Sequence, residues 1–277
     1  MPDQADPPGL IATVRGWVVE SYPYAVVRRF LELELLERSV ALAAQAFIAL
    51  LPIVILVVSL FVTDVGATIS EQFGDRLGLD SITTAAIEAL FSENVGRRTI
   101  SWLAVIMILV SAFSLARRLA RVYANVFELP PLKRSENWRG LVWIVLQVVM
   151  MLLASTLKQV RDDRGWLLFV AAGIALVAVW FGTDMASLRL LVPSAATRLV
   201  VASAVVSTVG RIFVGVWTAV YFARSLSDQA QQYGPIGVTF ALYTYLLVAV
   251  IVYVGSPLLV TTWVTWRAER SEAALSQ

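Results

Sequence analysis

The sequence predicts an all-α polytopic membrane protein, a six-transmembrane-helix bundle preceded by an amphipathic interfacial helix. Three observations predict it. The 277-residue chain is 58% hydrophobic and only 15% charged, with a mean hydropathy of +0.75, whereas soluble domains carry roughly 25% charged residues. A globular interior of this size cannot hide that excess. Six apolar runs are each long enough to cross a hydrocarbon slab of about 30 Å at ~1.5 Å per residue. The short alternating segments of an outer-membrane barrel are absent, and backbone groups in lipid must pair internally, which runs of this length do as helices.

Residues 1–9 are acidic and proline-rich and read as a disordered tail without the features of a secretory signal. Residues 10–38 alternate Val26, Val27, Phe30, Leu31 and Leu35 with Arg28, Arg29, Glu32, Glu34 and Glu37, the pattern of an amphipathic helix at the cytoplasmic interface. The membrane domain, 39–262, holds spans at about 40–63, 99–116, 140–157, 166–182, 199–222 and 236–260. Residues 263–277 form a cytoplasmic tail. Between the first two spans, 64–98 carries a net charge of −3, and the spacings of Ile69, Phe73 and Leu77 and of Ile82, Ala86, Leu90 and Phe91 fit two short amphipathic helices over the outer mouth; a solvated acidic loop fits equally.

Lys and Arg placement orients the bundle. Fourteen basic residues fall on the side of the N-terminus and seven on the other, which places both termini in the cytoplasm. Trp102, Trp138, Trp143, Trp166, Trp180, Trp263 and Trp266 lie near predicted span ends, where amphipathic rings prefer the headgroup layer.

With no Cys and no His, the chain has no disulfide, thiolate, imidazole relay or His/Cys zinc site. It lacks Walker and dinucleotide-binding glycine patterns. No enzyme, cofactor or metal is expected. A formal charge of +2 gives no electrostatic basis for binding nucleic acid. The expected partners are membrane lipids, with a second copy or envelope proteins as further candidates.

Arg211 stands at the centre of the fifth run, and neither flanking half can cross a bilayer alone. A guanidinium at that depth costs at least ~2.5–3.5 kcal/mol, so it must face the bundle interior, water or an anion. None of the six runs contains Asp or Glu. Glu37, Asp64 and Asp184 lie outside predicted helix ends and reach inward only if a span is misplaced, so the expected neighbours are backbone carbonyls, Gln45, Gln147, Ser111 or a bound anionic group. Candidate substrate-binding residues are Arg211, Gln45, Pro52, whose ring breaks the backbone ladder of the first span, and Tyr243. Gly210, Gly215, Ser203 and Ser207 fit close helix packing. Arg117, Arg118 and Arg121, in the loop after the second span, either hold anionic lipid headgroups or serve topology alone.

Several motifs together resemble a known family. A basic amphipathic segment runs into Ser39-Val40-Ala41-Leu42-Ala43-Ala44-Gln45-Ala46-Phe47 and then Leu50-Leu51-Pro52. Leu190-Leu191-Val192-Pro193 precedes the fifth span, and Tyr233-Gly234-Pro235-Ile236-Gly237 opens the sixth. In this order they resemble the YihY / virulence factor BrkB family, once labelled ribonuclease BN-like. The resemblance implies a six-helix protein of the bacterial cytoplasmic membrane that moves lipid or other envelope components. The chain departs from the family at Gly255-Ser256-Pro257, where members often carry Ala-Glu after the glycine. Hydrolysis of a phosphodiester needs a metal or a general base, and neither constellation is present. The expected function is that of a secondary transporter or lipid translocator for an anionic or amphipathic substrate, with a non-transporting membrane scaffold as the alternative.

Overall fold

The computed structural model describes residues 21–61, 102–163 and 166–275, and among these the chain is all-helical with no strand. The helices are α1 (Tyr22–Glu32), α2 (Leu35–Phe61), α3 (Trp102–Val126), α4 (Trp138–Asp163), α5 (Trp166–Leu191), α6 (Thr197–Trp217), α7 (Ala223–Tyr233) and α8 (Pro235–Leu275). A 3-10 turn, Arg134–Glu136, precedes α4, and a π turn, Thr218–Phe222, joins α6 to α7. The 64–98 segment and its predicted short helices lie outside the described residues, as does the tail at 1–9.

Helix limits follow local chemistry more than hydropathy. Residues 10–20 of the amphipathic stretch predicted over 10–38 lie outside the described residues, and the remainder divides at Leu33 and Glu34, where Glu34 takes φ 52°. That left-handed residue breaks the ladder, so residues 35–38 belong to α2. The third helix continues past the predicted end at 116 to Val126. Its added turns bury Leu119, Ala120, Val122, Tyr123 and Val126 while Arg117, Arg118 and Arg121 stay exposed, so the supposed basic loop is an amphipathic helix end. Helix α5 likewise passes the predicted end at 182 and stops at Leu191. No glycine or proline follows Gly182 until Pro193, which disfavours helical geometry in the residue before it.

Helix α8 is the spine: α1, α2, α3, α6 and α7 all pack on it, while α5 packs between α4 and α6. The apolar core gathers Leu35, Tyr123, Val126, Leu188, Leu191, Val192, Val200, Val254 and Leu258 from five helices and the α5–α6 link. At this end α1 is clamped down. Tyr22 donates its hydroxyl proton to the Leu259 carbonyl at 2.8 Å, and Arg29 forms a salt bridge with Glu128 and donates to the Val126 carbonyl.

Three helical stretches among the described residues are long and apolar enough to cross a membrane: Trp166–Leu191, Thr197–Phe222 and Pro235–Leu275. Their surfaces reverse the pattern of a soluble protein. Leu167, Phe169, Ile174, Val209, Phe213 and Phe240 point outward, while Thr183, Asp184, Ser187, Ser203, Ser207, Thr208 and Ser256 are buried. Water punishes such a surface and lipid does not.

Candidate functional site

The polar interior is built on the α5–α6 hairpin. A five-residue link, 192–196, forces the two helices antiparallel. On α6, Ser203, Ser207 and Arg211 recur every four residues and share one face. The opposite face carries exposed Val205, Val209, Phe213 and Val216. On α5, Thr183, Asp184 and Ser187 form the facing polar patch.

Asp184 stands seven residues before the end of α5 and Arg211 fourteen residues after the start of α6. The axial offset is therefore about 10 Å at ~1.5 Å per residue. Helical side chains lean toward their own N-terminus. In this hairpin Asp184 leans away from the link and Arg211 leans toward it, so the two close the gap. Arg211 Nη2 lies 2.8 Å from Asp184 Oδ1, with Asp184 1% exposed and Arg211 22% exposed at the side chain. The pairing corrects the expectation that Arg211 lacks a carboxylate partner at this depth. Asp184 belongs to the helix because backbone hydrogen bonding continues through a charged residue as readily as through an apolar one.

Helix α8 closes the third side. The guanidinium carbon sits 4.5 Å from the centroid of the Tyr253 ring, a cation–π contact. Gly210 permits this approach, because a Cβ there would stand 2.5 Å from Val252 Cγ1 on α8. Tyr123 of α3, almost wholly buried, lies within electrostatic reach of both Asp184 and Arg211, and Tyr245 within reach of Arg211.

Hydrogen bonding in the cluster is incomplete. Most hydroxyls in these apolar helices donate to the carbonyl one turn back, as Thr183 does to Val179, Thr208 to Ala204 and Ser256 to Val252. Ser187, Ser203 and Ser207 are buried and do not. Ser207 and Thr208 lie close enough to act on the Asp184 charge. Yet neither carboxylate oxygen receives a hydrogen bond of good geometry, and the Arg211 Nε–H has no acceptor. The short Arg211–Asp184 contact is thus ionic, with its N–H groups off the line.

The other predicted residues lie elsewhere. Tyr243 donates to the Val40 carbonyl at 3.4 Å and meets Phe47 edge-on, so it fastens α8 to α2. Gln45 is half-buried with an unpartnered Oε1, and among the described residues no bond joins it, Gln147 or Ser111 to Arg211. Pro52 lies within α2, which runs on through it. Tyr233, Gly234, Pro235 and Gly237 form a turn. Gly234 takes φ 59°, Pro235 is the first residue of α8, and a Cβ at Gly237 would strike the Gln229 carbonyl. Tyr233 is exposed. A separate groove of about 260 Å³ lies beside α1, lined by Arg28, Arg29, Glu32, Glu128, Thr262 and Glu269 among others, with neither Arg211 nor Asp184 in its wall.

No family model, curated protein or solved structure matches this chain. Sequence reasoning found Arg211, but it placed Asp184 outside the span and did not connect Tyr253, a residue of the last apolar run, with Arg211. The signal for Asp184 was available: an acidic residue eleven positions after Gly173, inside an apolar segment that no helix breaker interrupts before Pro193.

Proposed function

We propose that this protein is a six-span bundle of the bacterial cytoplasmic membrane, with both termini inside, that translocates an anionic or amphipathic envelope component. The Arg211–Asp184 pair is the polar station through which the charged part of the substrate passes. The observation that carries this reading is a guanidinium held midway along an apolar helix, still partly exposed, among buried hydroxyls that lack partners. Charged groups at such depth cluster where membrane proteins handle charged cargo. Helices α2, α3 and α4 overlap the three remaining predicted spans and have 27, 25 and 26 residues, lengths that also suffice to cross a bilayer at ~1.5 Å per residue. The resemblance to the YihY / BrkB family agrees with this reading but is not needed for it.

The experiment is reconstitution into liposomes carrying a trace of fluorescent phosphatidylglycerol, with dithionite added outside. Wild-type protein is expected to expose inner-leaflet lipid to the quencher, and Arg211→Leu, at matched folding, to return the signal to that of protein-free vesicles. Equal rates for the two proteins overturn the assignment of Arg211.

One observation favours a second reading. Asp184 already neutralises Arg211 internally, as a purely structural pair would. A scaffold of this kind predicts no lipid movement by any variant, together with a loss of stability when either partner is removed.

A further inference from the structure

The pair and its surroundings are electrically neutral and short of hydrogen bonds at once, and these two facts constrain what the site accepts. Arg211 cannot shed its proton in a protein. Of the other groups facing the pair, Tyr123 comes from α3, Ser207 and Thr208 from α6, and Tyr245 and Tyr253 from α8. All of these are uncharged side chains, so among the described residues Asp184 is the one group facing Arg211 that can absorb a change in charge. An anion arriving beside Arg211 while Asp184 stays ionised leaves an uncompensated negative charge in a low-dielectric interior, which is strongly disfavoured. One proton taken up by Asp184 restores neutrality.

The unpartnered atoms fit that exchange. The Arg211 Nε–H is a buried donor without an acceptor, the Ser207 hydroxyl beside Asp184 makes no hydrogen bond of good geometry, and Ser187 and Ser203, one turn nearer the α5–α6 link, are buried and unpartnered as well. Ser207 and Thr208 lie beside the Asp184 carboxylate and favour its charge, but neither reaches an Asp184 oxygen with good hydrogen-bond geometry. Thr183, Thr208 and Ser256 spend their hydroxyls on backbone carbonyls, whereas Ser187, Ser203 and Ser207 on the facing sides of α5 and α6 do not, as Ser39 and Thr262 elsewhere also do not.

We propose that the site binds a monoanionic oxyanion of the phosphodiester type together with one proton, the anion on Arg211 and the proton on Asp184. Binding breaks the Arg211–Asp184 ion pair and leaves the interior neutral before and after. The inference rests on the reading of Arg211 as a substrate station and adds its coupling partner.

The test uses two probes whose charge does not change near neutral pH: dimethyl phosphate as a free phosphodiester and phosphatidylglycerol in nanodiscs of otherwise zwitterionic lipid. Affinity of the purified full-length protein is measured from pH 6 to 8. Uptake of one proton predicts that wild-type affinity weakens by about tenfold per pH unit once Asp184 is ionised. Asp184→Asn is permanently neutral and should bind at all these pH values with a flat profile. Arg211→Leu should not bind, and Arg211→Lys should keep the wild-type slope with weaker affinity. Binding of both probes identifies a phosphodiester site, and binding of the lipid alone a headgroup site that also needs the acyl chains. A flat wild-type profile, or the same slope in Asp184→Asn, overturns the proton partnership even if translocation persists. Lipid movement without binding of either probe overturns the ligand class and leaves translocation standing. Should Asp184→Asn fail to fold, the wild-type slope alone decides.

Discussion

Arg211 and Asp184 illustrate how far a single residue can be read from sequence. A charge in the middle of an apolar run is visible because its cost is fixed by depth. Its partner is hidden, because hydropathy ends a span at the first acidic residue whereas the helix runs on to Leu191, just before Pro193. The pair makes an energetic prediction. Removing one member of a buried ion pair costs about 3–5 kcal/mol, because the survivor is left unpaired, whereas removing both is far milder. Arg211→Leu and Asp184→Leu should each lower the thermal unfolding midpoint in detergent, and the double variant should recover most of the loss. Here the Tyr253 ring and partial exposure cushion Arg211, so Asp184→Leu should be the milder single change. A double variant whose loss equals the sum of the singles would show that the two side chains are not coupled.

At the scale of elements, the limits most readily found in the sequence were those set by backbone chemistry. Pro235 and Gly234 mark the opening of α8, and the structure explains both, one as a helix-starting ring and the other as a positive-φ stop to α7. Tyr233–Gly237 is therefore built as a turn. The division of α1 from α2 was not legible, because Glu34, at φ 52° between Leu33 and Leu35 of the core, is not a residue type that announces a left-handed backbone. The extension of α3 was missed because three arginines masked the apolar stripe beneath them. Two glycines make opposed predictions. Gly237→Ala puts a methyl against an immovable backbone carbonyl, so a large loss of stability is expected, on the order of 1–3 kcal/mol or more. Gly210→Ala meets the branched Val252 instead, and a helix-propensity gain of about 1 kcal/mol offsets part of the clash. Its clearer effect should fall on function, because spreading α6 from α8 pulls Arg211 off Tyr253. Combining it with Val252→Ala should restore the wild-type rate of lipid movement; failure to do so would detach Gly210 from the site.

For the whole molecule, the inside-out distribution of polar groups is the property that composition foreshadowed, and the arrangement of helix ends is what it left open. The core cluster and the α1 clamp draw residues 126–129, the α5–α6 link and the 254–265 stretch of α8 to a single end of the bundle. Ser135, Ser194 and Ser271 are exposed at or near that end, and Asp228, on α7, lies beyond the far end of α6. The absence of cysteine makes this arrangement easy to interrogate, since each introduced thiol is the only one in the chain. Single cysteines at 135, 194 and 271 should all react with a membrane-impermeant maleimide from the same side of sealed vesicles, and a cysteine at 228 only from the other. Under the orientation proposed from the basic-residue bias, the shared side is the cytoplasmic one. A spin label at Val209 or Phe213 should meanwhile report the oxygen-rich, metal-excluded environment of lipid, because both side chains point away from the bundle. Opposite sidedness for 135 and 194 would mean that α4 and α5 do not cross and return together. The polar face of α6 would then have to meet its partners outside the bilayer, and a guanidinium there needs no buried carboxylate to hold it.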